Sequence, residues 1–234
     1  MEEIRVIAFD ADDTLWDCQS WFDEVEQRCC ELLKPWATAR EVSEGLFATE
    51  HRNLPLTGYG TKAFTLSLIE NAIRVSGGKI SGEQVMQLID MGKELLRFPT
   101  TPLPEVQETL AALSESRRYR LVVFTKGELM DQEDKLRRSG LEGYFSYMET
   151  VSNKTEAEYR QLCENLGVAP EETLMVGNSF RSDIAPALAA GAWAAHIPYH
   201  VVWALEKSEE FSHDHLYKIT HFGEIMEILK NKKA

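Results

Sequence analysis

The stretch Ile4-Arg5-Val6-Ile7-Ala8-Phe9-Asp10-Ala11-Asp12-Asp13-Thr14-Leu15-Trp16 decides how this chain is read. A short apolar run ends in three carboxylates within four residues, then a hydroxyl and two large apolar side chains. Runs such as Val6 to Phe9 fit a strand buried on both faces, as in a parallel sheet. Carboxylates crowded at a strand's C-terminal end repel one another unless a cation or an incoming electrophile offsets their charge. The competing reading is a turn, because Asp is favoured in turns and at helix N-caps. Two apolar residues follow at once and no Gly does, which favours a site.

Outward from that stretch, 234 residues suffice for one large α/β domain with an insertion, or for two smaller domains. Hydrophobic content of 44% and charged content of 27% are those of a soluble globular protein. A formal net charge of −13 argues against nucleic acid or an anionic membrane as the main partner. An anionic substrate would therefore need local positive charge at its site. Cys18, Cys29, Cys30 and Cys163 show no metal-ligand spacing and read as free thiols in a reducing compartment. Early charges replace the apolar core of a signal peptide, and no apolar run is long enough to span a membrane. A cytoplasmic location is expected.

After the first strand, helical periodicity runs for about eighty residues. Phe22, Val25, Cys29 and Leu32 share one face, and Pro35 ends that helix. Thr38 with Glu41, and Ser81 with Gln84, are capping boxes that open further helices. The segment Arg52 to Lys62, with Pro55, Gly58 and Gly60, reads as a loop between them. Four amphipathic helices in a row suggest a helical bundle. Pro99, Pro102 and Pro104 mark a linker, after which strands and helices alternate. The strands are Leu121 to Phe124, Tyr147 to Val151, Thr173 to Val176 and Ala192 to Ile197. Asn153 with Glu156 reads as a cap between the second and third of these, and Pro186 fits a helix starting near Ser182 or Asp183. Such alternation predicts a doubly wound parallel sheet, a Rossmann-like core of residues 1–16 and 98–234, with the helical bundle inserted at 17–97.

Ligands bind such sheets beyond the strand C-termini, where Asp10 to Thr14, Thr125 to Gly127, Asn153-Lys154 and Asn178 to Asp183 all fall. Asp10 is a candidate nucleophile and Asp12 a candidate general acid/base. The Thr125 hydroxyl and the Lys126 and Gly127 backbone N–H groups suit an oxyanion such as phosphate, and Lys154 adds a cation. Asn178 and Asp183 offer oxygen ligands to a hard cation such as Mg²⁺. Together these residues describe phosphoryl transfer.

Phe9-Asp10-Ala11-Asp12-Asp13-Thr14-Leu15 resembles the DxDxT signature of the haloacid dehalogenase superfamily. Thr125, Lys154 and the segment Gly177-Asn178-Ser179 to Asp183 match that family's three later motifs in order. The resemblance implies a Mg²⁺-dependent phosphatase with a helical type-1 cap, acting on a small phosphate ester through an aspartyl-phosphate on Asp10. It further implies that Asp12 serves as acid and then base, and that Thr125 and Lys154 hold the phosphoryl oxygens. Mg²⁺ would bind the Asp10 carboxylate, the Asp12 main-chain carbonyl, Asn178 and Asp183. Two positions depart from the pattern. Asp13 stands where many members carry Gly and reads as a cap for the following turn. Asn178 replaces an acidic ligand, so metal affinity should fall.

The alternatives are a 2-haloacid dehalogenase, a phosphomutase and a catalytically weak scaffold protein. Asp12 tells against the first, and only Asn178 supports the last. His196, His200, His213, His215 and His221 lack metal-ligand spacing, and His200 could face the site rim. His51, Arg52, Tyr59 and Lys62 could select substrate, and Trp16 and Trp21 would pack in the hinge between cap and core. The expected assembly is a monomer or homodimer.

Overall fold

A computed structural model describes residues 3–231. In chain order the elements are β1 (Val6–Phe9), α1 (Gln19–Leu33), α2 (Ala39–Thr57), α3 (Thr61–Val75), α4 (Gly82–Leu95), α5 (Val106–Ser116), β2 (Arg120–Lys126), α6 (Leu129–Arg138), β3 (Tyr147–Val151), α7 (Glu156–Leu166), β4 (Thr173–Gly177), α8 (Ala185–Ala190), β5 (Trp193–His196), β6 (Leu216–Lys218) and α9 (Ile225–Asn231). The strands form one six-stranded sheet, ordered β3-β2-β1-β4-β5-β6, in which every pair is parallel.

All four β1 side chains are buried, because β1 lies between β2 and β4 and has helices over both faces. Burying such side chains stabilises by roughly 1.5–3 kcal/mol each. The chain winds outward from β1 to β3, then restarts at β4 on the other side of β1. Strand order therefore reverses beside β1, where doubly wound sheets place their ligand crevice. Asp10 leaves the sheet at that point, and its N–H donates to the Val176 carbonyl at 2.9 Å.

The chain divides into two compact units, Met1–Cys18 with Thr100–Ala234, and Gln19–Pro99. The second holds α1 to α4 around its own core of Val25, Cys29, Leu33, Val42, Leu46, Leu68 and Leu88. Both expected capping boxes form: Glu41 N–H donates to Thr38 Oγ1 at 3.3 Å, and Gln84 N–H to Ser81 Oγ at 3.2 Å. Trp21 stacks on Phe98 within this unit, whereas Trp16 is fully buried in the other.

Two local expectations need correction, and one strand was not anticipated. The segment Arg52 to Lys62 is largely helical, since α2 continues through Pro55 to Thr57 and α3 begins at Thr61. Pro55 lies in the last turn, where its missing N–H costs a single bond. Arg52 and Asn53 each donate to Glu70 of α3 at 2.8 Å and hold that turn in place. The cap before α7 is Thr155 with Glu158, not Asn153 with Glu156. The edge strand β6 has three residues, too few for period-two alternation to register in the sequence.

Among the described residues no helix is long and apolar enough to cross a membrane. All four cysteines are free and buried.

Candidate active site

Three strand ends and two helix entries carry the site. Asp10 follows β1, Thr125 lies in β2, Lys154 sits between β3 and α7, and Asn178 follows β4. After Asn178 the backbone makes one π-helical turn, Phe180–Ile184, before α8. Ser179 caps that turn by accepting the Ser182 N–H at 3.0 Å. The turn swings Asp183 back toward β4, where its carboxylate accepts the Ser179 N–H at 2.9 Å. Residue 177 must be Gly here, since a Cβ would fall 2.3 Å from Asp183 Oδ2. Pro186 falls in the first turn of α8, where proline is tolerated.

Lys154 joins the two acids. Its Nζ donates to Asp10 Oδ1 at 2.5 Å and to Asp183 Oδ1 at 2.7 Å, with its side chain fully buried. It also lies 5.4 Å from the centre of the Phe124 ring, a cation–π contact made by a buried ammonium. Thr14 Oγ1 lies 3.2 Å from both Asp10 Oδ2 and Asn178 Oδ1, and accepts the Asn178 N–H at 3.1 Å. Its single proton serves one of the two oxygens at a time.

Burial, and then the neighbouring Asp183 charge, push the Asp10 carboxyl up to about 7 despite Lys154. The same two acids, with burial opposing them, hold the Lys154 ammonium above the usual lysine range. Two carboxylates thus share one cation, and the pair would accept more positive charge.

Asp12 faces another group altogether. Its carboxylate accepts from Trp16 Nε1 at 2.8 Å, from Gln132 Nε2 at 2.8 Å and from Lys135 Nζ at 3.1 Å. Burial works against its charge, but Lys135 first, then Gln132 and Trp16, bring its carboxyl below the usual range. Lys135 also pairs with Asp131 at 3.3 Å and is held well above the normal lysine range by Asp12, although burial opposes this. Gln132 spends its second amide proton on the Lys126 carbonyl at 2.9 Å and so ties Asp12 to the end of β2.

Gln132 and Lys135 were missed in the sequence, because the burial of polar residues on α6 shows only in the structure. Leu129 and Met130 of that helix are exposed while Asp131, Gln132 and Lys135 are buried, the reverse of ordinary amphipathic order.

The other expected residues divide. Thr125 is buried at the end of β2. Gly127 gives its N–H to the Val151 carbonyl at 3.3 Å, so that amide is committed to the sheet rather than to an oxyanion. Lys126 reaches across to Ser182 and Glu206. Asp13 adopts φ 62°, a left-handed conformation that Asp tolerates, and its carboxylate accepts the Cys18 N–H at 2.8 Å as a turn cap. His196 is buried with Nε2 3.0 Å from the Asn178 carbonyl oxygen, and His200 is exposed.

A family model described as haloacid dehalogenase-like hydrolase matches residues 4–191. The chain belongs to the haloacid dehalogenase-like hydrolases. It is 28% identical over 204 residues to a glyceraldehyde 3-phosphate phosphatase of Methanothermobacter thermautotrophicus, covering 80% of this chain and 83% of that protein. A crystal structure of a haloacid dehalogenase-like family hydrolase from Xanthomonas campestris superposes with a TM-score of 0.87 at 30% identity, covering 98% of this chain and 93% of the other. The L-2-haloacid dehalogenase of Xanthobacter autotrophicus shares the fold, with a TM-score of 0.64 at 19% identity over 97% of this chain and 98% of its own.

The donor chemistry of this hydrolase fits the hard cation that its family resemblance implies. Among the described residues no group of three His, Cys, Asp or Glu converges as a metal site. Mg²⁺ needs only one or two carboxylates, completed by other oxygens and water. Asp10 and Asp183, both now paired with Lys154, would supply the carboxylates and Asn178 an amide oxygen.

Proposed function

We propose that this hydrolase is a Mg²⁺-dependent phosphatase of small phosphorylated metabolites, working through an aspartyl-phosphate on Asp10. The helical unit Gln19–Pro99 takes the role of the cap. The observation that carries the reading is the second carboxylate. Asp12, two residues from the nucleophile, has its own three-donor support and is kept anionic by a buried lysine. A dehalogenase reading leaves that arrangement without a task, whereas hydrolysis of an acyl-phosphate needs a base held beside it.

In the first step an Asp10 oxygen attacks phosphorus and the ester P–O bond breaks, the leaving oxygen taking a proton from Asp12. In the second, water attacks phosphorus, gives its proton to Asp12 and releases Asp10. Lys135 favours the base role. The acid role requires Asp12 to be protonated first, and a bound phosphoryl dianion beside it raises its proton affinity in the needed direction. Lys154 neutralises charge at Asp10, and the Thr125 hydroxyl would turn from the Lys126 carbonyl, 3.4 Å away, to hold a phosphoryl oxygen. Mg²⁺ would be held by the Asp10 and Asp183 carboxylates, the Asn178 amide oxygen and the Asp12 main-chain carbonyl, and when bound supplies further neutralisation of the phosphoryl oxygens.

The test is turnover of an aryl phosphate with Mg²⁺, with EDTA, and by Asp10→Asn. Turnover is expected in the first condition alone, and activity persisting in EDTA would reject metal dependence. Asn178→Asp should lower the Mg²⁺ concentration for half-maximal rate. An unchanged requirement would leave Asp183 as the ligand from that loop. Release of halide from 2-haloacids would favour the dehalogenase reading.

A further inference from the structure

The long connection between β5 and β6, 197–215, brings a carboxylate against the cation that follows Thr125. Glu206 Oε1 accepts from Lys126 Nζ at 2.5 Å. Glu206 Oε2 accepts from Ser179 Oγ at 2.6 Å and from Ser182 Oγ at 2.5 Å. Lys126 Nζ also donates to Ser182 Oγ at 2.8 Å. The ion pair is largely sequestered, with side chains 13% and 14% exposed. Burial opposes the Glu206 charge, yet Lys126 and the two hydroxyls hold its carboxyl below the usual range.

These donors belong to the site's own segments. Lys126 follows Thr125, Ser179 follows Asn178, and Ser182 precedes Asp183. The carboxylate comes from elsewhere, on a short turn Ala204–Glu206 whose following residues 207–214 are exposed. Three donors converging on two oxygens make a carboxylate cradle, and Glu206 fills it as a carboxylate of the chain itself.

We propose that Lys126, Ser179 and Ser182 form a second anion subsite, in which Glu206 stands in for a carboxylate of the substrate. This rests on the phosphatase reading and narrows its substrate class to short phosphorylated carboxylic acids. The phosphoryl group lies at Asp10 and the carboxylate replaces Glu206. A neutral hydroxyl or aldehyde cannot take that place, because it would leave the Lys126 ammonium without an equivalent anionic partner. Long connections in compact domains are commonly functional loops or linkers.

The experiment is calorimetric binding of 3-phosphonopropionate and of propylphosphonate to the Mg²⁺-supplemented full chain, as wild type, Glu206→Gln and Ser182→Ala. Neither phosphonate has an ester to hydrolyse, so binding is read independently of turnover, while aryl phosphate turnover separately tests the phosphatase reading. The wild type should prefer the phosphonocarboxylate. Glu206→Gln should widen that preference by about tenfold, the worth of a charged hydrogen-bonded contact freed from its competitor. Ser182→Ala should narrow it. Equal binding of the two phosphonates by wild type, or a preference that Glu206→Gln leaves unchanged or reduces, overturns the subsite even if aryl phosphate is hydrolysed. Should Glu206→Gln fail to fold, the wild-type preference and its loss in Ser182→Ala decide the matter. Retained preference without aryl phosphate turnover overturns the phosphatase reading and leaves the subsite standing.

Discussion

Replacing Lys135 by methionine tests the electrostatics of the site most directly. The substitution keeps most of the stem volume but removes the ammonium that lies 3.1 and 3.2 Å from the Asp12 oxygens and 3.3 Å from Asp131. Removing one partner of a buried pair costs roughly 3–5 kcal/mol, because the other charge stays behind unpaired. Asp131 is 4% exposed and bears that cost nearly in full, whereas Asp12 at 26% is partly screened by water. The lower end, about 3 kcal/mol, is therefore expected. For a chain of this size that corresponds to a fall of roughly 6–12 °C in Tm. Urea unfolding measures the loss, and adding Asp131→Asn should recover part of it by removing one orphaned acid.

The same variant should change the pH–rate profile. With Lys135 present the Asp12 carboxyl lies below its usual range, so this pair stabilises the fold above the ordinary carboxylate pKa and ceases to do so as pH falls through the depressed one. Without Lys135 the acidic limb of kcat/KM should move to higher pH. A variant within about 1 kcal/mol of wild type, with an unmoved limb, would refute the pairing as described.

Two further outcomes follow from single residues. Asp10 is raised to about 7, so its contribution to stability is fully present below the ordinary Asp value of 3.8 and is lost as pH rises through 7. Metal-free wild type should therefore lose stability relative to Asp10→Asn between these limits in urea titrations, and a pH-independent difference would contradict the raised value. In the helical unit, a Cβ on Gly92 would meet Thr65 Oγ1 at 2.1 Å. Gly92→Ala should cost about 1–3 kcal/mol in thermal unfolding, with partial recovery when Thr65 becomes Ala.

The legible parts of the molecule were those set by local pattern. Val6 to Phe9 announced a strand buried on both faces because every position is apolar, and the acids after it fell where a parallel sheet opens. Thr38–Glu41 and Ser81–Gln84 were readable as caps because the partners lie three residues apart on one turn. Pro55 misled because a proline in a helix's last turn and a proline in a loop look alike until Glu70, fifteen residues on, holds the turn. β6 was invisible because three residues on a sheet edge carry too little alternation.

By itself the sequence determined a doubly wound α/β chain, through short-range periodicity. Its four motifs resembled those of the haloacid dehalogenase-like hydrolases and named Asp10, Asp12, Thr125, Lys154 and Asp183 as candidates, whereas Lys135 and Glu206 went unread. Tertiary structure alone decided how charge is shared among them. Lys154 lies 144 residues from Asp10, Lys135 123 from Asp12, and Glu206 80 from Lys126. No local pattern fixes pairings at that separation. They arise because parallel strands bring their C-terminal ends to one edge, where buried charges must find partners to remain charged.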